Sequence, residues 1–204
     1  NIQVLKVVEF SFFSDPVALG TILFCSTFLC TDILAENYGY KKAQKNILIG
    51  FISFLFMTII MIFTIGFKPL SIIAAGDNYQ WALEVQENLK SIFIPMPTFF
   101  FASMIAYLIS QYFDVWFFSF LSRISKKKNL WLRNNLSTIT SSLIDNTVFS
   151  LLAFIILTKE PIALGVVIST YILGTYILRL FIAIFDTPFI YIAKYVSKNE
   201  FINE

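Results

Sequence analysis

Long apolar segments alternate with short polar connections along most of the chain. Five of these segments are long enough to cross about 30 Å of hydrocarbon as a helix, which takes roughly 20 residues. They run from 17 to 38, 46 to 67, 92 to 122, 136 to 157 and 162 to 196. No alternation of period two, as in a transmembrane β-barrel, is present. The pattern predicts an all-α, polytopic bundle of membrane helices that forms one domain over residues 1–204.

Composition supports this class and narrows the chemistry. Hydrophobic residues make up 57% of the chain and charged residues 14%, whereas charged residues alone approach a quarter of a soluble protein. The net charge of +2 offers no basis for a nucleic-acid surface. The absence of histidine removes histidine-based acid–base catalysis and most zinc sites. Cys25 and Cys30 lie within an apolar segment and are interpreted as core thiols. We predict no metal and no cofactor.

The first residues carry a further expectation. The chain begins with Asn rather than Met, and residues 1–16 mix apolar and charged side chains over a length too short to span a membrane. A cleaved signal peptide or a further hydrophobic helix could precede them. We expect the helix, because five spans with the orientation below leave residue 1 outside; the intact protein would then have six spans, as the family resemblance given below also implies.

Lysine and arginine are concentrated in alternate connections. The connections after the first and third spans and the C-terminal tail contain Lys41, Lys42, Lys45, Arg123, Lys126, Lys127, Lys128, Arg133, Lys194 and Lys198. The intervening connections contain only Lys68, Lys90 and Lys159, together with four acids. Because basic loops remain in the cytoplasm, these connections and the C-terminus are predicted to be cytoplasmic in a bacterial inner or plasma membrane.

The longest non-cytoplasmic connection has a helical pattern of its own. Trp81, Val85 and Leu89 recur every four residues beside charged side chains, which predicts a short interfacial helix. Such a helix either closes one rim of the bundle or gates a site.

Ionisable residues inside the first and third spans are candidates for function, because burying charge in a membrane is costly. Asp32 and Glu36 share a helical face, where they act in function or pair with the lysines that follow. The third span carries a polar stripe, and a stripe at that depth must face protein or water rather than lipid. Its members are Ser103, Tyr107, Gln111 and Asp114.

The fourth and fifth spans supply the remaining candidates. Hydroxyl residues open the fourth span, and they either join close-packed helices or line a site. Asp145 and Asn146 follow in mid-span, with Phe149 one turn further on, and favour ligand contact. Arg179 and Asp186 are two turns apart in the fifth span. Arg179 acts in function or forms a buried structural ion pair with an acid.

Several separated motifs carry a family resemblance. Residues 31–43 read Thr-Asp-Ile-Leu-Ala-Glu-Asn-Tyr-Gly-Tyr-Lys-Lys-Ala. Later motifs are Ala102-Ser103, Ala106-Tyr107, Gln111, Asp114-Val115, Trp131-Leu132-Arg133-Asn134, Asp145-Asn146-Thr147-Val148-Phe149, Arg179 and Asp186-Thr187-Pro188. In this order they resemble the queuosine precursor transporters, a vitamin-uptake-transporter-like membrane family. The family commonly has arginine where this chain has Thr98, and lysine more often than arginine at the position of Arg179.

The resemblance implies import of a 7-deazaguanine base, the precursor of queuosine in transfer RNA. A guanine-type edge presents adjacent N–H groups to a carboxylate, and its carbonyl needs a donor. The base-binding candidates are Asp145, Asn146, Gln111 and Asp114, with Tyr107, Trp116 and Phe149 as aromatic walls. The candidates for a charge network or gate nearer the cytoplasm are Asp32, Glu36, Arg179 and Asp186. The partners implied are this small-molecule base and the lipid bilayer.

Two other function classes stay open. One is a substrate-binding subunit of a multi-component vitamin-type uptake system, whose energising partner or homo-oligomeric state the sequence does not specify. The chain has no Gly-x-x-x-x-Gly-Lys-Ser/Thr motif with which to use ATP itself. The other class is an intramembrane aspartyl-type enzyme that uses two of the buried acids. Its characteristic Gly-Tyr-Gly-Asp-like signature is absent, so a non-enzymatic role is favoured.

Overall fold

The computed structural model describes residues 7–8, 17–18, 20–76, 78–93 and 97–200, and most of them are helical. The helices are α1 Gly20–Tyr38, α2 Tyr40–Gly66, α3 Ile72–Ala75, α4 Gln80–Phe93, α5 Pro97–Ile124, α6 Leu130–Leu151, α7 Leu164–Val166 and α8 Thr175–Glu200. Two π-helical segments, π1 Leu152–Ile156 and π2 Val167–Gly174, follow α6 and α7. Val7–Val8 pairs with Val17–Ala18 as a two-residue antiparallel ladder. The predicted all-α class is confirmed.

A single glycine separates the first two helices. Helix α1 ends at Tyr38 and α2 begins at Tyr40, while Gly39 has a φ of 88°, a conformation that residues with a Cβ rarely adopt. Helix α1 thus ends at residue 38, where the first predicted span ends. The second predicted span begins too late at residue 46, because Lys41 and Lys42 lie on the exposed first turn of α2 rather than in a loop.

The third predicted span, from 92 to 122, is not one helix. Its first residues belong to α4, which ends at Phe93, and the long helix α5 begins at Pro97. Proline suits a first helical position, where its missing N–H has no acceptor in the helix. Helix α4 confirms the predicted helix around Trp81 and Val85, both of which are exposed. Its location at a membrane surface stays a prediction.

The last two predicted spans contain wider turns than an α-helix. Helix α6 begins at Leu130, earlier than the predicted residue 136, and passes into π1, where the Leu157 N–H donates to the Leu152 carbonyl at 2.9 Å. The chain then turns, and α7, π2 and α8 continue as one long helical unit. Pro188 lies inside α8.

Among the described residues, four helical stretches are long and apolar enough to cross a membrane. They are Tyr40–Gly66, Phe99–Ile124, Leu130–Ile156 and Leu164–Ser197. The first predicted span forms the 19-residue helix α1, which reaches about 28 Å at 1.5 Å per residue. Large apolar side chains cover the outer face of α2, as on a surface that meets lipid; Phe56 and Phe63 are 64% and 67% exposed. The chain is a multi-pass membrane protein.

The centre of the bundle is formed by α1, α5, α6 and α8. Helix α5 makes its most extensive contact with α6, and α1 packs against α8, α5 and α6. Helix α2 lies on the outer side of α1 and α5, where Ala43 and Ile47 pack on Val115. Phe118, Leu130 and Ile190 form a second apolar cluster. Between these clusters, the inner face of α6 is largely polar.

Candidate functional site

A column of buried polar side chains follows the inner face of α6. Arg133, Ser137, Ser141 and Asp145 recur at four-residue steps, and each is at most 4% exposed. This spacing places them above one another on one helical face. Each has a partner on α1, α5 or α8. We call these four residues and their partners the polar column, and the end of the bundle at Arg133 its basic end.

At the basic end, Glu36 of α1 lies between two cations. Arg133 donates from Nη1 to Glu36 Oε2 at 2.9 Å and from Nη2 to Oε1 at 3.3 Å. Lys194 of α8 donates to Glu36 Oε1, and Ser122 accepts a second bond from Arg133 Nη1 at 2.7 Å. The side chains of Arg133 and Glu36 are 1% and 7% exposed, whereas that of Lys194 is 46% exposed. One carboxylate thus joins α1, α6 and α8.

One turn further in, two carboxyl groups are enclosed by hydroxyls. Ser137 Oγ lies 3.0 Å from Asp32 Oδ2, and Ser141 Oγ lies 2.6 Å from Asp114 Oδ1, each as a potential donor. Thr31 Oγ1 lies 3.4 Å from Asp114 Oδ2. Both aspartates are 0% exposed. These contacts join α6 to α1 and α5 through acids that contact hydroxyls instead of cations.

Gln111 connects α5 to α1 beside this acid pair. Its Nε2 donates to Thr27 Oγ1 at 2.9 Å, and its Oε1 can accept from Thr31 Oγ1 at 3.1 Å. The side chain is 0% exposed. The amide therefore uses a donor and an acceptor on the same neighbouring helix, which orients it within the bundle.

The inner end of the polar column is an ion pair between Asp145 of α6 and Arg179 of α8. Arg179 Nη1 donates to Asp145 Oδ2 at 2.7 Å, and the side chains are 11% and 6% exposed. Ser110 of α5 donates to the other carboxylate oxygen at 3.2 Å. The guanidinium carbon of Arg179 lies 5.2 Å from the ring centre of Phe24, within cation–π range.

Asn146 and a group of aromatic rings adjoin this ion pair. Asn146 Nδ2 lies 2.9 Å from Thr175 Oγ1 and 3.2 Å from the Ile172 carbonyl, so it bonds where π2 meets α8. One turn beyond, four rings pack together from α5, α6, π1 and π2. They are Phe99, Phe149, Phe154 and Tyr171. The centres of the closest pair, Phe154 and Tyr171, lie 4.1 Å apart. We call these four the aromatic group.

The structure brings five of the predicted base-binding residues to the inner faces of α5 and α6. They are Gln111, Asp114, Asp145, Asn146 and Phe149. Tyr107 faces α2 instead, and its hydroxyl would lie 3.0 Å from a Cβ added at Gly50. Trp116 is 44% exposed and stacks on Phe120 of the same helix, with ring centres 5.6 Å apart. A role for these two aromatic residues in binding stays a prediction.

The predicted charge network is divided between two levels of the bundle. Glu36 and Asp32 lie toward the basic end, but Arg179 is bonded to Asp145, two turns of α6 beyond the contact of Asp32. The expected ion pair between Arg179 and an acid is therefore present. Asp186 is only partly buried, and its Oδ2 accepts no hydrogen bond from the described residues.

The sequence does not single out Arg133, Lys194 or Ser110 as site residues. For the hydroxyls of the fourth span, which include Ser137 and Ser141, it leaves helix packing and a site both open. Arg133 was assigned to a cytoplasmic loop because a charged residue near the end of an apolar segment usually marks the membrane boundary. The available signal was the four-residue repeat that leads from position 133 through two serines to Asp145. Only the position of Glu36 on another helix shows why Arg133 is buried.

Comparison with known proteins identifies the family of this chain. Residues 18–193 match the model of the family described as "Putative vitamin uptake transporter". The chain belongs to this family. A protein of Bacillus subtilis (strain 168) described as "Probable queuosine precursor transporter" is 33% identical over 201 residues, which cover 98% of this chain and 80% of that protein. No solved structure matches the chain.

As a member of the vitamin uptake transporter family, the chain has its aromatic group and, except for Lys194, its polar column within the matched region. The matched residues extend from the start of α1 almost to Lys194, and so include the central helices α1, α5 and α6 and most of α8. The geometry at Asp145 is therefore part of the family domain.

Proposed function

We propose that this protein is a transporter that imports queuosine precursors, the 7-deazaguanine bases, into the cytoplasm. Membership of the vitamin uptake transporter family and the name of the Bacillus subtilis relative support the activity and the cargo. The concentration of lysine and arginine at the basic end supports a cytoplasmic location for that end and for the C-terminus. One domain carries the activity.

The observation that carries the proposal is the position of Asp145 beside Asn146 and the aromatic group. A carboxylate accepts two adjacent N–H groups of a guanine-type edge through charge-assisted hydrogen bonds. The amide of Asn146 can donate to the carbonyl of the base in exchange for its bond to Thr175 Oγ1 or to the Ile172 carbonyl. The ring of Phe149, one turn along the same helix face, offers its flat side to the base. Few polar groups beside aromatic rings are the usual composition of a small-molecule site.

The contacts of Asp145 indicate what the base must exchange. In this conformation Arg179 and Ser110 bond to the two carboxylate oxygens. A base edge that bonds to the same carboxylate displaces one of these donors, and it compensates for that loss with two N–H groups of its own. Gln111, which is held by α1, is the nearby amide that can add a further bond. Binding and a change in the contacts between α6 and α8 are therefore coupled.

The contacts of Glu36 indicate how the cytoplasmic exit is closed. Arg133 and Lys194 join α1, α6 and α8 at the basic end, beyond the acid pair as seen from Asp145. A base that leaves Asp145 toward the cytoplasm passes this level. We therefore assign the Glu36 ion pairs to an inner gate that opens and closes during transport.

Exchange of labelled base across liposomes tests the proposal. Liposomes that contain the purified chain are loaded with unlabelled 7-deazaguanine bases, and they should take up labelled base. With the Asp145→Asn variant, the rate of uptake should be at least about tenfold lower. Glu160→Gln, an acid-to-amide change in an exposed connection, is the matched control and should exchange normally. Normal exchange by Asp145→Asn would remove Asp145 from the site.

The same assay separates the competing classes. Exchange by the purified protein alone identifies a carrier that needs no partner. Binding of the base without exchange, restored when a second protein is added, identifies a substrate-binding subunit. Chemical alteration of the recovered base or cleavage of an added peptide would identify an enzyme instead.

A further inference from the structure

Two carboxyl groups from different helices meet in the polar column between the Glu36 ion pairs and Asp145. Asp32 of α1 and Asp114 of α5 are both 0% exposed, and their carboxyl groups lie within hydrogen-bonding reach of one another. Two negative charges at this separation repel strongly, and burial removes the water that would screen them. The pair therefore requires a positive charge nearby or a shared proton.

The groups that bond to this pair do not supply that charge. Ser137, Ser141 and Thr31 contact the two carboxylates through their hydroxyls. In the part of the chain that the structure describes, neither aspartate takes part in a salt bridge. Hydroxyls solvate a carboxylate but leave its net charge unchanged.

Cations on the neighbouring helices are already bonded to other acids. Arg133 of α6 interacts electrostatically with Asp32, but its hydrogen bonds to a carboxylate go to Glu36. Lys194 of α8 also bonds to Glu36, and Arg179 of α8 bonds to Asp145. Within the described ranges, Asp145 therefore balances Arg179 and Glu36 balances the buried Arg133, while the surplus positive charge of Lys194 lies on a side chain that is 46% exposed.

One oxygen of this acid pair has no donor. Asp32 Oδ1 is buried and receives no hydrogen bond from an N–H or hydroxyl group of the described residues. On the side of α2, apolar Ala43 and Ile47 pack against Val115, the residue after Asp114, so this face adds no charge. A proton on one carboxyl group removes one of the two negative charges and forms an O–H···O bond between the acids.

We propose that Asp32 and Asp114 form a proton site that couples import of the base to the proton gradient. The transport role rests on the proposed function, whereas the proton site itself does not. A proton from water outside binds a carboxylate oxygen and forms an O–H group. This O–H bond breaks when the proton is released, together with the base, to water on the cytoplasmic side. Opening the column separates these acids from their hydroxyl donors, and this costs less when the pair is protonated.

Infrared spectroscopy tests the proton site without any cargo. The purified protein at neutral pH should show a carbonyl-stretch band of a protonated carboxylic acid, and both Asp32→Asn and Asp114→Asn should lose it. Asp186→Asn serves as a comparison, because Asp186 is partly buried and its Oδ2, like Oδ1 of Asp32, is buried without a hydrogen-bond donor among the described residues. A wild-type spectrum with no such band, or a band lost only in Asp186→Asn, overturns the proton site.

Asparagine at position 32 suits this test because it resembles the protonated state. Its amide can donate to Asp114 and its carbonyl can accept from Ser137, so the contacts between α1, α5 and α6 are preserved. It cannot bind or release a proton at neutral pH. If Asp32→Asn does not fold, Asp114→Asn makes the same change from the other helix.

Two transport measurements then distinguish proton-coupled accumulation of the base from its exchange alone. The cargo is a neutral, nitrile-bearing 7-deazaguanine, and the exterior is more acidic than the interior by about one pH unit. Liposomes that contain the wild-type protein should accumulate this base up to about tenfold. One pH unit corresponds to about a tenfold concentration ratio when one proton moves with each base. Asp32→Asn should exchange base but accumulate none, whereas Glu160→Gln should accumulate it normally.

Each outcome assigns a failure to one proposal. Wild-type exchange with no response to the pH gradient, or accumulation driven by a sodium gradient, overturns proton coupling and leaves the carrier function. Undiminished accumulation by Asp32→Asn also overturns it. Absence of exchange by a folded wild-type protein overturns the cargo or the carrier function, while the infrared band still decides whether the proton site exists.

Discussion

Arg133 and Glu36 form a two-pronged ion pair between α6 and α1, with N–O distances of 2.9 and 3.3 Å. The two side chains are 1% and 7% exposed, so neither charge has water as an alternative partner. Glu36→Gln should therefore destabilise the protein by about 3 kcal/mol or more, because a buried guanidinium loses its counter-charge. For a chain of this size that corresponds to a fall in Tm of about 6 °C or more, measurable by tryptophan fluorescence in detergent.

Lys194 provides the matched comparison, since it bonds to the same carboxylate but is 46% exposed. Lys194→Ala should cost less than about 1 kcal/mol, as is usual for an exposed ion pair. Equal losses in Tm for Glu36→Gln and Lys194→Ala would contradict the view that Arg133 is the principal partner of Glu36.

The ion pair between Asp145 and Arg179 allows stability and transport to be separated. Arg179→Ala should lower Tm strongly, because it leaves the buried carboxylate of Asp145 without a cation. The double variant Asp145→Asn with Arg179→Gln removes both charges and should recover much of the lost Tm. It should still fail to exchange base, because the carboxylate that accepts the base edge is absent.

Arg179→Lys completes this series. Lysine restores a positive charge opposite Asp145, so the variant should retain measurable exchange with a reduced Tm from lost contact with Phe24. Exchange by the doubly neutral variant at the wild-type rate would show that the Asp145 carboxylate has no part in binding.

Two aromatic residues predicted as walls of the site differ in surroundings and should differ in effect. Phe149→Leu removes a ring from the aromatic group, and it should raise the KM for exchange by about fivefold or more, since base–aromatic stacking is worth about 1–3 kcal/mol. Trp116→Leu changes an outward-facing residue, and it should leave KM within about twofold. The reverse order would return Trp116 to the binding site and exclude Phe149.

Ligand-dependent stability should distinguish 7-deazaguanines from guanine. A base present at about 100 times its Kd stabilises the folded protein by about 2.7 kcal/mol, which raises Tm by about 5 °C. Guanine carries an acceptor nitrogen in place of a ring carbon of the 7-deazaguanines, and such an acceptor, buried beside the aromatic group without a donor, costs about 1–3 kcal/mol. A deazaguanine should therefore raise Tm at concentrations where guanine has no effect.

Asp145→Asn is the control for this measurement, because it retains the aromatic group and loses the carboxylate. It should show no rise in Tm with either base. Equal shifts with guanine and a deazaguanine would contradict the proposed placement of the base against the aromatic group.

The helices could be predicted from the sequence wherever local properties determine them. The break at Gly39 follows from a glycine directly after an apolar run, and the helix at Trp81 follows from its four-residue repeat. The start of α6 was misplaced by six residues, because hydropathy treats Arg133 as a boundary and cannot register its distant partner Glu36. The π segments were also missed, since composition does not specify whether the backbone hydrogen bonds of a helix join residues four or five apart.

The site was predictable in its members but not in its pairings. An acid inside an apolar segment can be recognised as a candidate from the sequence alone, and this applies to Asp32, Asp114 and Asp145. Their partners lie far away in sequence: 34 residues separate Asp145 from Arg179, and 97 separate Glu36 from Arg133. Helix packing decides such pairings, and no spacing along one helix indicates them. Packing also directs Trp116 outward, although its position in sequence lies close to the polar stripe.

The serines of α6 have an alternative that the acids lack. Ser137 Oγ lies 3.0 Å from Asp32 and 2.8 Å from the carbonyl of Arg133, and Ser141 Oγ lies 2.6 Å from Asp114 and 2.7 Å from the carbonyl of Ser137. A hydroxyl with one hydrogen can turn from the acid to its own backbone as the helices part. The serines of α6 therefore keep a hydrogen-bond acceptor when the helix moves. The energetic barrier to this movement comes from the carboxylates of the neighbouring helices, which lose their donors.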